Sequence, residues 1–270
     1  MCLISFALGS HERYPLVLVA NRDEFFKRPA EPMSWWKNNL AKPTILAGRD
    51  EAGGGTWFGI NEAGRWAAVT NYREPHTERD VRTRGELVTE FLFSDVPAAD
   101  YLQNVKHRSS DYNGFNLLVG QLDEVYWFSN RAVDSAKPLC PLNKGVYGLS
   151  NHLLDTPWPK VELARNCLAE KLASDFLAPE QVVLTLHNES RPDDSQLPET
   201  GVDLETERML SSMFIEDQVR QYGTRCSTAL TISVEQEIKI AELTFPERSM
   251  VQFSFSVAGR NTKSTGAIIT

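Results

Sequence analysis

Leu16-Val17-Leu18-Val19-Ala20 runs without a break into Asn21-Arg22-Asp23-Glu24, so an apolar, β-branched segment ends in four polar residues. Upstream lie the short apolar run 3–8 and the turn-forming Gly9-Ser10-His11-Glu12-Arg13, and together these predict a β-hairpin over the first twenty residues. In such a hairpin the end of the second strand returns to the start of the first. Arg22 and Asp23 are therefore expected beside Cys2.

Beyond this hairpin, an irregular stretch carries Pro29, Pro32, Trp35, Trp36 and Pro43. Gly53-Gly54-Gly55 then introduces an apolar strand over 56–60, Glu62-Ala63-Gly64 makes a turn, and 66–70 returns to end at Asn71. Helices are predicted over 85–93, 97–105 and 158–176, the last with Val161, Ala164, Leu168, Leu172 and Phe176 on one face. Residues 115–119 and 125–128 flank Asp123-Glu124 as a further hairpin, and 145–149 reads as a strand. The carboxylate-rich segment 189–207, with Pro192, Pro198 and Gly201, reads as a solvated loop. Residues 227–234, 238–245 and 250–257 suggest an antiparallel meander with a wet outer face. Strand blocks at both ends with helices between them predict a layered α+β protein, two sheets with helices outside, and residues 1–270 as one domain.

The composition excludes several classes. With 41% hydrophobic and 24% charged residues among 270, the chain is globular rather than disordered. A net charge of -8 argues against nucleic acid as a partner, because phosphate binding needs a concentrated positive face. No apolar run approaches the roughly 18 to 20 residues of a membrane span. The N-terminus lacks a basic region and a small-residue cleavage site, which reads as cytoplasmic. Cys2, Cys140, Cys167 and Cys226 are far apart without a C-x-x-C pair, which argues against a disulfide scaffold or a structural zinc site. The five histidines show no metal spacing. Gly53 to Gly55 lack the lysine and the following helix of a phosphate loop, and read as a turn near the mouth of a site.

Position 2 is the most informative for chemistry. The initiator methionine is removed when the second residue is small, and the mature chain would then begin with a thiol and a free α-amine on one residue. That amine has a pKa near about 7.7 to 8.0, low enough to act as a base at neutral pH, and the thiolate is the reactive form of a cysteine. On position alone, Cys2 also reads as a small apolar residue starting a strand. Arg22 would favour the thiolate and Asp23 would hold the ammonium; the same pair also reads as a surface salt-bridge cluster. Asn71, Asn151 and Arg225 sit at strand ends, where an amide can face a developing oxyanion, although asparagine there is ordinarily a turn residue. Cys140, Cys167 and Cys226 read as packing residues.

The N-terminal Cys2, Asn21 to Glu24, Ala47-Gly48-Arg49-Asp50 with Gly53 to Gly59, Thr70-Asn71-Tyr72-Arg73, Leu149-Ser150-Asn151 and Gly223-Thr224-Arg225 together resemble the NRDE family, whose eukaryotic members are called transport and Golgi organization protein 2. The resemblance runs from Met1 to about Val234. It implies relatedness to N-terminal-nucleophile hydrolases of the choloylglycine hydrolase and penicillin V acylase type, and so an αββα sandwich of two antiparallel sheets between helical layers. By that resemblance Cys2 is the nucleophile, Arg22 and Asp23 the pair that tunes it, Asn71 and Asn151 oxyanion contributors, and Arg225 a supporting charge. The template spaces its arginine and aspartate as Arg-x-x-Asp, whereas here they are adjacent, so Glu24 competes with Asp23 for the second role. The resemblance implies hydrolysis of a C–N amide or related acyl bond in a small molecule, with no metal or organic cofactor. A non-catalytic carrier of haem or an acyl or lipid metabolite on the same fold is the alternative, and an oligomer is compatible with the sequence.

Overall fold

The computed structural model describes residues 3–36, 43–75, 77, 81–132, 139–257 and 267–269. The strands are β1 (Leu3–Leu8), β2 (Leu16–Phe25), β3 (Ala30–Trp35), β4 (Ile45–Asp50), β5 (Phe58–Asn61), β6 (Arg65–Asn71), β7 (Phe115–Gln121), β8 (Glu124–Ser129), β9 (Gly145–Leu149), β10 (Glu216–Asp217), β11 (Tyr222–Ile232), β12 (Glu237–Thr244), β13 (Ser249–Ser256) and β14 (Ala267–Ile269). The helices are α1 (Gly85–Phe93), α2 (Ala98–His107), α3 (Pro159–Lys171), α4 (Pro179–Val182) and α5 (Leu204–Met209).

Two antiparallel sheets result. One runs β14-β13-β12-β11-β2-β1-β9 with β10 paired to β11, and the other runs β3-β4-β5-β6-β7-β8. Period-two alternation sorts the strand side chains into layers. Ile4, Phe6, Leu8, Leu16, Leu18 and Ala20 of the first sheet meet Leu46, Phe58, Ile60, Trp66 and Leu118 of the second in a core between the sheets. Leu3, Val17, Val19 and Ala229 face outward against Val161, Ala164 and Leu168 of α3 and Val182 of α4. Ala67, Val69, Leu117 and Val119 face outward against α1 and α2. The order is therefore helix, sheet, sheet, helix, the layering the resemblance implied. No helix among the described residues is long and apolar enough to cross a membrane.

Most elements match the sequence pattern, and the differences have physical causes. β2 does not stop at Ala20 but continues through Asn21 to Phe25, because β11 pairs along its whole length from Leu16↔Ile232 to Phe25↔Tyr222. β3 is hidden in the sequence by Pro32, which cannot donate to a ladder; the β3–β4 register shifts between Glu31 and Ser34 to accommodate it. α3 ends at Lys171 rather than reaching 176, and Phe176 is 52% exposed rather than on the packed face. The outer face of β11 is not wet, because α4 and the outer core cover it. Segment 189–207 is irregular as expected, except that Asp203 caps α5 by accepting from the Thr206 N–H at 2.9 Å.

Candidate active site

The β1–β2 register pairs Leu3 with Asn21, so the polar end of β2 lies at the N-terminal end of β1. Cys2 itself lies outside the described residues. Adjacent residues on a strand point to opposite faces, which separates Arg22 from its neighbours. Asn21 is fully buried on the helical side, donating to the carbonyls of Met213 (2.9 Å) and Leu186 (3.4 Å) and accepting from the Ser227 hydroxyl (2.7 Å). Asp23 shares that side, and its Oδ1 accepts from the Thr224 hydroxyl at 2.7 Å, which in turn accepts from the Ile215 N–H at 3.0 Å.

Arg22 points between the sheets and is 4% exposed. Its guanidinium lies 4.2 Å from the centroid of the Trp57 ring, with Nη2 at 3.8 Å from Asp50 Oδ2. A desolvated cation over an indole contributes up to about 2 kcal/mol. Gly48 makes that wall, because a Cβ there would overlap Cζ2 and Cη2 of Trp57. Asp50 is the hub. Arg28 grips both of its oxygens at 3.1 and 2.9 Å, and the N–H groups of Ala52 and Gly53 donate to its Oδ1. Burial opposes its ionisation, but the Arg28 and Gly53 hydrogen bonds and the charges of Arg28 and Arg22 outweigh it and hold the carboxyl below the usual range. The glycine run is thus a turn folded around a carboxylate, with Gly54 at φ +76°.

Asn71 and Asn151 come together from different sheets. The Asn151 Nδ2 donates to the Asn71 carbonyl at 3.1 Å, and the Arg73 N–H donates to the Asn151 carbonyl at 2.7 Å. Beside them the Thr70 hydroxyl donates to the Ser150 carbonyl (2.9 Å), while Asn116 donates to the Thr70 hydroxyl (3.1 Å) and the His152 carbonyl (2.8 Å). These bonds stitch the end of β6 to the loop after β9, and β9 pairs with β1 through Leu149↔Ile4. The Asn71 side chain, exposed, lines a cavity of about 440 Å³ together with Arg22, Asp50, Trp57 and Thr83.

Arg225 has a different task. Thr224 pairs with Asp23 and Cys226 with Arg22, so Arg225 is the extra residue of a β-bulge. Its Nη1 donates to the carbonyls of Phe25 (3.1 Å), Phe26 (2.9 Å) and Arg28 (3.3 Å), clasping the chain where it leaves β2.

Several site residues escaped the sequence reading as individual candidates. Asp50 and Trp57 fall within the quoted motif stretches, but only the packing of β2 against β4 and β5 gives them a role. Glu242 carried a signal: it is in phase with Ile238 and Ile240, which places a carboxyl in the core between the sheets. It is fully buried, accepting from the Met33 N–H at 2.6 Å and the Thr228 hydroxyl at 3.2 Å. Burial raises its pKa against the opposing pull of those donors, the Cys226 thiol and Arg22. Burial likewise pushes the Cys226 thiol well up, as suits a packing residue. Because folding raises the Glu242 pKa, its contribution to stability is whole below the unfolded value near about 4.3 and declines as pH rises toward the folded value. Glu242→Gln has no proton to lose there. Its stability relative to wild type is expected to rise between about pH 4 and pH 7, read from urea midpoints at both; a constant gap would contradict the assignment.

The Transport and Golgi organisation 2 family model matches residues 1–247. The chain belongs to that family. It is 38% identical to the Bos taurus Transport and Golgi organization protein 2 homolog, over 93% of this chain and 94% of the other. The Homo sapiens homolog is 36% identical over 95% of each. Among solved structures the chain is similar to penicillin V acylase from Agrobacterium tumefaciens, with a TM-score of 0.45 and 11% identity, covering 99% of this chain and 90% of that one.

Proposed function

We propose that this family member is an amide or related acyl hydrolase whose nucleophile is Cys2, freed by removal of Met1, with residues 1–270 acting as one domain. The observation that supports it is the convergence at one end of β1. Cys2 precedes Leu3 by one peptide unit, about 3.8 Å between Cα atoms. Leu3 pairs with Asn21 beside Arg22 and Asp23, and Asn71 and Asn151 are stitched to the loop of the strand on the other flank.

In this reading Arg22 favours the Cys2 thiolate by its charge, and Asp23 steadies the α-ammonium. The α-amine takes the thiol proton and sulfur attacks the substrate carbonyl carbon. The carbonyl oxygen becomes an oxyanion that accepts from the Asn71 side-chain amide. Asn151 spends one amide hydrogen on the Asn71 backbone and keeps the other for the same oxygen. The ammonium then protonates the leaving nitrogen as the C–N bond breaks, giving a thioester. Water, deprotonated by the amine, attacks the thioester carbon and releases the carboxylic acid with the thiol restored. Arg225 acts at one remove, through the backbone carbonyls it clasps.

The test is turnover of a panel of N-acyl amides and β-lactams by untagged protein. Asn71→Ala is expected to lower kcat by about 10² to 10³ with little change in KM, the cost of one oxyanion donor. A variant with unchanged kcat would remove Asn71 from the mechanism. Ligand binding without turnover, unaffected by loss of Cys2, would identify a carrier instead.

A further inference from the structure

On the helical side of the first sheet, the face opposite Arg22, lies a second cavity of about 490 Å³. Four aromatic side chains, Phe26, His187, Phe214 and Phe245, line it beside five charged ones. His187 stacks on Phe214 with centroids 4.2 Å apart and planes at 21°, Phe245 meets Phe214 edge-on at 4.8 Å and 77°, and Phe245 meets His187 at 5.7 Å and 82°. Phe26 closes the opposite wall, lying so close to β11 that a Cβ on Gly223 would touch its Cε1 at 3.1 Å. Phe214 and Phe245 are buried, whereas His187 and Phe26 are half-buried and keep ring surface for a visitor. Charged groups of both signs also line it: Glu189, Glu216 and Glu247 with Arg225 and Arg248.

We propose that this cavity is a binding site for a flat, uncharged aromatic ring system, a ligand class distinct from the acyl substrate of the Cys2 cleft. Its volume is within the roughly 300 to 1,000 Å³ of small-molecule sites. His187, half-buried and backed by the buried Phe214 and Phe245, together with the half-buried Phe26, offers ring faces and edges for a flat partner, the geometry aromatic groups prefer. Opposed charges in the lining give an ionic ligand no consistent partner, so ring contact rather than charge sets the selectivity. The site also touches the polar segment of β2 from behind. Thr224 in its floor holds Asp23, and Arg225 in its wall clasps the carbonyls after β2.

The test is a titration of the full-length protein with 2-naphthol, followed by the imidazole Cε1 proton of His187, assigned by its loss in His187→Leu. A saturable upfield ring-current shift is expected, with cyclohexanol giving none. Phe26→Ala, with folding checked by circular dichroism, is expected to weaken binding about tenfold, while Cys2→Ala leaves it unchanged. Absence of a saturable shift in the wild-type protein, or equal binding of cyclohexanol, would overturn the proposal regardless of how the variants fold. Loss of binding in Cys2→Ala would place the ligand in the other cleft and overturn it as well.

Discussion

Cys2→Ala is expected to abolish turnover, with a loss on the order of 10⁶ in kcat where a nucleophile acts as one unit with its base. The magnitude is large because in the proposed mechanism nucleophile and base belong to the same residue. Removing the thiol leaves the amine with nothing to activate except water, and what remains is the Asn71 amide and substrate binding. KM should move little, since the sulfur contributes mainly in the transition state. Cys2→Ser is the sharper comparison: it keeps a nucleophile of higher pKa that Arg22 cannot ionise, so activity should fall between the two. Progress curves with purified protein check both. A Cys2→Ala variant with more than a tenth of wild-type activity would end the account.

Glu207→Ala is expected to destabilise the fold by about 3 to 5 kcal/mol, the cost of breaking a buried ion pair from one side. The Glu207 and Arg73 side chains are 4% and 8% exposed, with Arg73 Nη1 2.6 Å from Glu207 Oε2. Glu207 also accepts from the N–H and hydroxyl of Thr200, and the Arg73 guanidinium lies 5.0 Å from the Trp158 ring centroid. The substitution removes the carboxylate from a guanidinium that burial makes costly. It also reaches the site, because Arg73 is two residues from Asn71 and its backbone N–H holds Asn151. Glu207→Gln retains a hydrogen-bonding amide, so the loss should be smaller. Urea unfolding gives the stability directly; a Glu207→Ala unfolding free energy within about 1 kcal/mol of wild type would mean the pair is as weak as a surface one.

Local pattern made some of this legible and left the rest concealed. The β1–β2 hairpin, α1, the β7–β8 hairpin and β9 follow from apolar runs punctuated by glycine and polar turns. Gly64 at φ +76° between β5 and β6 is a case where the turn residue announces itself. β3 did not announce itself, because Pro32 sits within it and a bulge hides the alternation. The length of β2 depends on β11, some two hundred residues later, and no local window contains that partner. α3 stops short of Phe176 although apolar residues recur at helical spacing, since Ser174 and Asp175 follow its last turn and the chain departs there.

The candidate site shows the same division. Arg22, Asn71, Asn151 and Arg225 were visible as polar residues interrupting strand ends, and the hairpin alone predicted that Arg22 and Asp23 return toward Cys2. That Arg22 and Asp23 face opposite sides of one strand follows from their adjacency, and it divides their labour: Arg22 belongs to the space between the sheets and Asp23 to the Thr224 hydroxyl behind it. The Asp50 hub and the Asn116–Thr70 stitching are products of sheet-on-sheet packing, which composition and spacing do not encode. Glu207 was hidden in a segment that reads as solvated because it is rich in carboxylates. One of them turns inward to meet Arg73, and only the fold shows which.

The most direct test of Cys2 as the nucleophile is the intact mass of untagged protein before and after a cysteine-directed acylating probe, followed by peptide mapping. The expected result is a chain lacking Met1 and a single acyl adduct on Cys2, in preference to Cys140, Cys167 and the buried Cys226. A chain that retains Met1, or a Cys2 that stays unlabelled while Cys140 reacts, would contradict it.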